Sequence, residues 1–576
     1  MNGAKILIDG LKREGVDTIF GYPGGVVIPI FDVLYTTKEI KFYLTRHEQG
    51  AAHAADGYAR STGKVGVCLV TSGPGATNTI TGIATAKMDS SPIVVISGQV
   101  PSVNIGTDAF QETDMLGLTR SICKHNYLVQ DVKDLPGIIK EAFHIARSGR
   151  PGPVSIDIPV DVSSGKLKNY VYPETIDLPG YKPSVKANSG QIIKLVQAIE
   201  EARKPLLYTG GGIVISGATP ELLQLIDKTR IPVVTTLMGL GTVPYDHPCF
   251  LGMPGMHGTV AANKALVECD LLIAVGVRFD DRITGPRQTF AVGKTVAHID
   301  IDPAEISKNV KANIPVVGDA KGALAELTEK VKERARDSWN EQTDAWKAEF
   351  PLTYKDAGNG SVNPQYVIER LNEFAEKDAI IVTDVGQQQM WTALYYHHRL
   401  PRHFLSSGGL GTMGFGLPAA MGAAVANPGT QVVCIAGDGG IQMNIQELAT
   451  CAINKIPVKV IVLNNAFLGM VRQWQDLFWE KRYSQTCLKH GPDCPPECRG
   501  PNGNCPPRYL PDLMKIADAN GMVGYRATSK VEVDEILQKG LAEEGPVLME
   551  FFVNREENVY PMISSGKPLT EIIMGA

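Results

Sequence analysis

The chain has 576 residues, of which 44% are hydrophobic and 20% are charged, and its formal net charge is −5. This length and composition are those of a soluble enzyme of about three to four domains, and the net charge gives no indication of a nucleic-acid-binding surface. No apolar run approaches the ~18 residues that span a bilayer, and residues 1–15 lack the apolar core of a signal peptide, so we expect a cytoplasmic protein without a membrane segment.

Short apolar segments alternate with helical patterns over residues 1–165. Gly-rich or polar turns follow several of these segments, and repeated strand–helix units predict a parallel, doubly wound sheet. We therefore expect a first α/β domain at residues 1–165. Its strands are predicted at residues 18–20, 42–44, 65–70, 92–96 and 153–159.

Glu48 opens a predicted helix in this first domain. The residues that follow it are mostly small, which allows the helix to pack closely against a neighbour. The helix dipole favours a carboxylate in the first turn, so the position alone predicts only a stable helix start. A catalytic role is the second interpretation, and it depends on motifs elsewhere in the chain.

A second α/β domain is predicted at residues 188–335, after a linker at residues 166–187 that is rich in Lys, Pro and Tyr. Gly210-Gly211-Gly212 follows its first strand, but this run is not the GxGxxG pattern and does not by itself predict a dinucleotide site. The strands of this domain are predicted at residues 205–208, 232–234, 271–275 and 296–300.

A third α/β domain is predicted at residues 363–553, after a charged helix and linker at 336–362 and before a C-terminal tail at 554–576. Its centre reads as a buried strand, the turn Gly437-Asp438-Gly439-Gly440, a helix, and a second strand that ends at Asn464-Asn465.

The carboxyl ends of neighbouring parallel strands meet at one edge of a sheet, so Asp438 and Asn465 are expected to lie side by side. One anionic and one neutral oxygen suit a Mg²⁺ ion that holds a phosphate, and glycines let the backbone approach that phosphate. A Gly-Asp-Gly turn alone is also compatible with a plain tight turn. The paired asparagines after the next strand favour the metal site.

The ten cysteines fall into two groups. Six are scattered in apolar segments and are predicted to be reduced core residues. Four follow the spacing C-x6-C-x3-C-x6-C in a Pro/Gly-rich insertion. This spacing leaves disulfides, a zinc or iron–sulfur site and free thiols open. The scattered residues are Cys68, Cys123, Cys249, Cys269, Cys434 and Cys451, and the clustered ones are Cys487, Cys494, Cys498 and Cys505.

The motifs together resemble a known family. The Gly-Asp-Gly turn followed by Asn-Asn resembles the thiamine-diphosphate fingerprint. Residues 21–25, 46–48, 71–78 and 106–112 are similar to segments of the catalytic subunits of the acetohydroxyacid synthase (acetolactate synthase) family, and the likeness runs over nearly the full chain. It implies three doubly wound α/β domains: pyrimidine-binding, central FAD-binding and Rossmann-like, and diphosphate-binding.

The resemblance also implies a reaction. Pyruvate would be decarboxylated on thiamine diphosphate, and the hydroxyethyl unit would pass to a second pyruvate or to 2-oxobutyrate, as in branched-chain amino acid biosynthesis. The implied cofactors are thiamine diphosphate, Mg²⁺ and FAD, the flavin having no net redox role. The Arg-Phe-Asp-Asp-Arg run at residues 278–282 favours the FAD-containing biosynthetic type. The implied partners are a second copy of the chain, as homodimer or homotetramer, and a small regulatory subunit.

Catalytic, substrate and metal roles are implied for nine residues. Glu48 would hydrogen-bond the aminopyrimidine ring, and the acceptor would meet an Arg at its carboxylate and a Trp at the extra methyl of 2-oxobutyrate. The implied catalytic residues are Glu48, Gly25 and Gln111, the substrate contacts are Phe110, Arg282 and Trp474, and the Mg²⁺ ligands are Asp438, Asn465 and the carbonyl of Phe467.

Cofactor contacts are implied for a larger set. The Gly411 carbonyl would hold the pyrimidine amine, and Met413 would keep the cofactor bent. The family usually has His where this chain has Gln388, and many members have Lys where this chain has Val160. The thiamine diphosphate contacts are Tyr22, Pro23, Pro74, Asn78, Gly386, Gln387, Gln388, Gly411, Met413, Gly437, Gly439, Gly440, Gly469 and Met470, and the FAD contacts are Arg150, Gly210, Gly211, Gly212, Thr236, Leu237, Met256, His257, Gly276, Arg278, Asp280, Asp300 and Asp319.

Three alternative functions remain. The first is another thiamine-diphosphate-dependent decarboxylase, carboligase or oxidase, against which Arg282 and Trp474 argue. The second is a flavin-dependent redox enzyme, which pyruvate turnover without an external electron acceptor would exclude. The third is a non-catalytic paralogue, and the presence of Glu48, Asp438 and Asn465 argues against it.

Overall fold

Three parallel β-sheets organise the chain, each within its own α/β domain. The computed structural model describes residues 1–358, 360–492, 494 and 511–575. Every strand pair within the three sheets is parallel, so the predicted fold class is confirmed. Among the described residues, no helix is both long and apolar enough to span a bilayer.

The first sheet has the strand order β2-β1-β3-β4-β6-β5. The strands at residues 66–70, 93–99 and 154–159 are buried along their whole length because helices cover both faces of the sheet, as parallel sheets require. The strands are β1 Thr18–Tyr22, β2 Lys41–Leu44, β3 Gly66–Val70, β4 Ile93–Gln99, β5 His125–Leu128 and β6 Val154–Pro159, and the helices are α1 Gly3–Arg13, α2 Ile28–Thr36, α3 Glu48–Thr62, α4 Pro74–Thr77, α5 Ile80–Asp89, α6 Met115–Thr119, α7 Leu135–Arg147 and α8 Val160–Ser164.

The second sheet has five strands in the order β11-β10-β9-β7-β8. The strands are β7 Pro205–Thr209, β8 Val233–Thr235, β9 Leu271–Val275, β10 Thr295–Asp300 and β11 Ile314–Val317, and the helices are α9 Ser189–Glu201, α10 Gly211–Ser216, α11 Thr219–Thr229, α12 Val260–Glu268, α13 Asp281–Thr284, α14 Arg287–Phe290 and α15 Ala320–Lys330, followed by α16 Ser338–Glu349 in the charged connection.

The third sheet has the order β13-β12-β14-β15-β17-β16, which repeats the topology of the first sheet strand for strand. The tail adds a short antiparallel pair. The strands are β12 Ile380–Thr383, β13 Phe404–Leu405, β14 Val432–Gly437, β15 Val458–Asn464, β16 Val523–Ala527, β17 Val547–Phe552, β18 Met562–Ile563 and β19 Ile572–Ile573, and the helices are α17 Pro364–Phe374, α18 Gln387–Tyr395, α19 Gly416–Ala426, α20 Asp438–Ile441, α21 Glu447–Asn454, α22 Gly469–Phe478, α23 Leu513–Ala519 and α24 Lys530–Ala542.

The first and third domains pack together through α3 and α19. Both helices carry small residues at the contact, as expected from the sequence after Glu48. A Cβ atom on Gly57 would clash with the backbone of Ala419, and one on Gly422 would clash with the backbone of Ala54. The glycines therefore permit a close approach of the two helices, and this approach fixes how the first domain sits against the third.

The structure describes two of the four clustered cysteines. Cys487 and Cys494 belong to the described residues, and Cys498 and Cys505 lie outside them. The six scattered cysteines are all buried and reduced, in agreement with their prediction as core residues.

Candidate functional site

Glu48 is the first residue of α3, directly after the N-cap residue His47. The Nδ2 of Asn78 donates a hydrogen bond to Glu48 Oε2 at 2.9 Å. Asn78 is the C-cap of α4, which begins at Pro74. The structure therefore brings together three residues that the sequence placed near the pyrimidine, and it fixes the carboxyl group through one of its two oxygens.

A second carboxylate, which the sequence analysis missed, supports this helix start. Glu447 in α21 accepts hydrogen bonds from the backbone N–H groups of Arg46 and His47 at 2.9 and 3.0 Å. Burial raises the pKa of Glu447. A Cβ on Gly50 would lie only 2.6 Å from Glu447 Oε1, so Gly50 gives this carboxylate room. The third domain thus helps to position Glu48 in the first.

The predicted substrate-facing residues of the first domain lie on loops at the carboxyl edge of its sheet. Tyr22 ends β1, and Gly25 starts a short 3₁₀ helix after Pro23. Gln111 has a positive φ of 61°, and the side chain of Phe110 is 89% exposed in the single chain. These residues form an open rim rather than a closed pocket.

Asp438 and Asn465 lie at the carboxyl ends of two adjacent strands, as predicted. Gly437 at the end of β14 pairs with Leu463 in β15, so Asp438 and Asn465 leave the sheet at the same edge. Asp438 is 2% exposed. Asn465 Oδ1 accepts a hydrogen bond from the Phe467 N–H at 3.0 Å, which shapes the turn that presents the Phe467 carbonyl.

The N-termini of α18 and α22 converge beside this pair. Asn465 Nδ2 donates to Gln387 Oε1 at 3.3 Å, and Gln387 is the first residue of α18. Gly469 is the first residue of α22, and a Cβ on it would lie 2.8 Å from Asn465 Nδ2. Met470 follows in the same helix. Two helix N-termini at one point form a site that favours an anion such as a phosphate.

Gln388 contributes a free donor to the same place. Its Nε2 is buried and has no hydrogen-bond partner among the described residues. A Cβ on Gly437 would lie 3.2 Å from Gln388 Oε1, so the amide lies against the Gly-Asp-Gly turn. A buried N–H without a partner is costly, and a bound ligand would satisfy it.

Asp384, which the sequence analysis did not assign, contacts two glycine-containing turns. One turn contains Gly414 and Gly416, and the other is the turn at residues 437–440. Its carboxylate accepts from the N–H groups of Gly414 and Gly416 at 3.0 Å, and burial raises its pKa. A Cβ on Gly440 would lie 2.5 Å from Asp384 Oδ1. Asp384 directly follows β12, as Asp438 follows β14, and that position was the signal that could have identified it.

Gly411 and Met413 belong to the loop that precedes Gly414, and Met413 lies near the turn at residues 437–440. Gly411 has a φ of +69°, and the methyl carbon of Met413 would lie 3.6 Å from a Cβ on Gly439. The predicted pyrimidine and diphosphate contacts of the third domain are therefore next to one another.

A cavity of about 580 Å³ lies between the three domains. This volume is that of a site for a small organic molecule. Arg150 reaches the cavity from the first domain and pairs with Glu305 of the second domain at 2.7 Å. Asp300 also lines the cavity, and burial raises its pKa to about 6. The cavity is lined by seven of the predicted flavin contacts: Arg150, Gly211, Gly212, Gly276, Arg278, Asp300 and Asp319.

The remaining predicted flavin contacts are not among the residues that line this cavity. Burial lowers the pKa of His257 to about 4, which keeps its ring neutral, and its Nδ1 has no partner among the described residues. Asp280 caps α13 and pairs with Arg278 at 3.6 Å. The residues outside the lining are Gly210, Thr236, Leu237, Met256, His257 and Asp280.

Two predicted acceptor contacts are accessible in the single chain. The Arg282 side chain is 57% exposed, and its Nη1 donates to Ser565 Oγ at 3.3 Å. Trp474 lies in α22 and is half-buried, with its ring 5.9 Å from that of Phe478. Neither side chain is a core residue of the chain.

Three family models match the chain. They are described as the N-terminal TPP binding domain, the central domain and the C-terminal TPP binding domain of thiamine pyrophosphate enzymes. The matched residues are 1–118, 192–327 and 384–551, respectively. Each match contains most of one of the three sheets.

Curated relatives are similar over nearly the whole chain. The acetolactate synthase of Mycobacterium bovis is 49% identical, over 99% of this chain and 91% of the relative. The acetolactate synthase large subunit of Corynebacterium glutamicum is 46% identical, over 99% and 90%. The corresponding large subunit of Haemophilus influenzae is 46% identical, over 100% and 98%.

Proposed function

Because this chain belongs to the acetolactate synthase family of thiamine-pyrophosphate enzymes, we propose that it decarboxylates pyruvate and joins the remaining two-carbon unit to a second 2-oxoacid. Pyruvate as acceptor gives 2-acetolactate, and 2-oxobutyrate gives 2-aceto-2-hydroxybutyrate. The observation that carries this function is the joint position of Asp438 and Asn465 at adjacent strand ends, next to two helix N-termini. Acetolactate formation by the purified chain is the experiment that tests it.

The residues at this edge fit a diphosphate held through Mg²⁺. Asp438, Asn465 and the Phe467 carbonyl offer the oxygen ligands that Mg²⁺ prefers. The unpartnered Gln388 Nε2 and the N-terminus of α18 offer donors for phosphate oxygens. When bound here, thiamine diphosphate supplies the carbon nucleophile and the electron sink for decarboxylation.

Glu48 would hold and move a proton at the pyrimidine end. Asn78 fixes Glu48 Oε2, while Glu48 Oε1 has no hydrogen bond to any described residue and remains available for a ring nitrogen. Glu447 holds the backbone that carries Glu48. A general acid–base residue needs a fixed position within hydrogen-bond reach, and these two supports give it one.

The cavity between the domains fits a flavin dinucleotide. Arg150 offers a cation to the ligand, and Gly211, Gly212 and Gly276 line the cavity. A Cβ on Gly212 or Gly276 would lie 2.5 or 2.6 Å from the Cα of the other, so these two glycines let the turns after β7 and β9 meet at the cavity. Occupancy by FAD is our proposal. In it the flavin fills the junction of the three domains and has no net redox role.

A second copy of the chain would complete the active site. Large apolar side chains on loops at the carboxyl edge of the first sheet are exposed in the single chain, among them Phe110 and Val103. Large apolar side chains that are exposed beside a binding site are candidates for burial in an interface. We propose that the third domain of a partner copy covers this rim, in a homodimer or homotetramer. The relatives named large subunits also support a small regulatory subunit.

Replacement of Trp474 by Leu should change the product ratio. A ring that packs on the extra methyl of 2-oxobutyrate should shift the ratio of acetohydroxybutyrate to acetolactate by about tenfold, since one methylene contributes about 1–3 kcal/mol. The measurement is a competition assay with both 2-oxoacids. Phe478→Leu, in the same helix and in ring contact with Trp474, is the matched control and should leave the ratio unchanged. An unaltered ratio in Trp474→Leu, with turnover intact, would remove Trp474 from the site.

Replacement of Arg150 by Ala should weaken FAD binding by about tenfold or more, because a hydrogen bond to a charged group contributes about 1.5–3 kcal/mol. The measurement is a titration of the flavin-free protein followed by flavin fluorescence. Lys308→Ala is the control, since Lys308 pairs with the same Glu305 at 2.8 Å but does not line the cavity. Equal losses in both variants would show that the effect is structural.

A further inference from the structure

Asp89 at the end of α5 joins the first domain to the loop that carries Gly411. Its side chain is 1% exposed. Its carboxylate accepts hydrogen bonds from the Gly408 N–H at 3.1 Å and from the Gly409 N–H at 2.7 Å. One buried carboxylate thus binds two consecutive amides of a loop 319 residues away in sequence.

Arg60 completes this buried network. Its Nη1 donates to Asp89 Oδ2 at 2.9 Å and to the Ser406 carbonyl at 2.8 Å. Its Nε and Nη2 bind both oxygens of Asp56 at 2.7 and 2.8 Å. Asp56 is buried as well, but among the described residues its carboxylate binds Arg60 and accepts no hydrogen bond from the loop. The two carboxylates both bind the Arg60 guanidinium, but only Asp89 also binds the loop amides.

The loop also lies close to residues of the second domain. A Cβ on Gly408 would lie 2.5 Å from Met238 Sδ, and one on Gly409 would lie 2.7 Å from Asp89 Oδ1 and 3.1 Å from an Arg278 nitrogen. Met238, Arg278 and Asp89 all line the large cavity. The loop therefore packs directly against three residues that line the cavity.

We propose that Asp89 is a positioning residue for thiamine diphosphate, which it serves by holding the Gly408 and Gly409 amides so that the Gly411 carbonyl keeps its place. This inference rests on the proposed function, in which Gly411 and Met413 contact the cofactor. Thr85, four residues earlier in α5, reinforces it through a 2.7 Å hydrogen bond to Thr412. Two residues of one helix thus fix the loop on either side of Gly411.

The test compares Asp89→Asn with Asp56→Asn. Both variants neutralise one buried carboxylate beside Arg60, and only Asp89→Asn replaces an oxygen that accepts from a loop amide by an N–H donor. The unfolding temperature should fall in both variants. Hydrogen–deuterium exchange of the peptide that contains Gly408 and Gly409 should be about tenfold faster in Asp89→Asn alone, and the Kd for thiamine diphosphate should rise about tenfold in that variant alone, since a charge-assisted hydrogen bond is lost.

Equal exchange and equal Kd in the two variants would overturn the proposal. If Asp89→Asn does not fold, Gly409→Ala pushes the loop away from Asp89 instead, with Gly137→Ala, which has open space around it, as its control. The Kd of Gly409→Ala should then rise and that of Gly137→Ala should not, and no difference between them would also overturn the proposal. A wild-type chain that binds no thiamine diphosphate would contradict the proposed function, whereas the exchange difference would still test the contact itself.

Discussion

Replacement of Glu48 by Gln should lower acetolactate formation by about 10²-fold or more, the usual contribution of a group that transfers a proton. The variant should still fold, because Gln preserves the shape of the side chain and can still accept the hydrogen bond from Asn78. Thiamine diphosphate should also still bind, since its diphosphate is held in the third domain.

The measurement for Glu48 is turnover at saturating cofactor, together with the Kd for thiamine diphosphate and the unfolding temperature. Glu39→Gln is the control, because it neutralises an exposed carboxylate of the same domain, paired with Lys12 at 2.7 Å. Turnover close to that of the wild type in Glu48→Gln would remove Glu48 from the proton-transfer role.

Replacement of Asp438 by Ala should abolish the dependence of thiamine diphosphate binding on Mg²⁺. In the wild type, added Mg²⁺ should tighten binding, since Asp438 would hold the ion that neutralises the diphosphate. The loss in Asp438→Ala should be about 10²-fold or more, because residues that only support metal ligands already contribute 10–100-fold.

A Mg²⁺ titration at fixed cofactor concentration measures this effect. Asp438→Asn keeps an oxygen and loses the charge, so its affinity should fall between those of the wild type and Asp438→Ala. An Asp438→Ala variant with wild-type affinity at every Mg²⁺ concentration would show that the diphosphate lies elsewhere.

The parts of the site that could be predicted from the sequence are those with a local signal. The turn after β14 and the asparagines after β15 stand at strand ends, and the topology of a parallel sheet then places Asp438 beside Asn465. The same rule applied to β12 would have identified Asp384 as well.

The supports between domains have no such signal. Glu447 holds the amide of His47 across 400 residues of sequence, and Asp89 holds that of Gly408 across 319. These contacts depend on how α3 and α5 pack against the third domain, and no periodicity or spacing in one segment encodes that packing. Sequence patterns therefore identified groups that would contact a ligand and missed the buried carboxylates that position them.

The structure explains how Gln388 can occupy a position at which the family differs from this chain. The family that the sequence resembles usually has His at this position. The buried Gln388 Nε2, without a partner among the described residues, presents an N–H beside Gly437. An amide N–H can donate to a phosphate oxygen as an imidazole N–H does. The substitution is thus compatible with the proposed diphosphate site.

The central claim is tested most directly by incubating the purified chain with pyruvate, Mg²⁺ and thiamine diphosphate, with and without FAD, and by measuring acetolactate. No electron acceptor is added and oxygen is excluded, so a redox enzyme would not turn over. We expect acetolactate and CO₂ in equal amounts, a requirement for thiamine diphosphate and Mg²⁺, and higher activity with FAD. Pyruvate consumption that yields no acetolactate, or that begins only after an electron acceptor is added, would contradict the account.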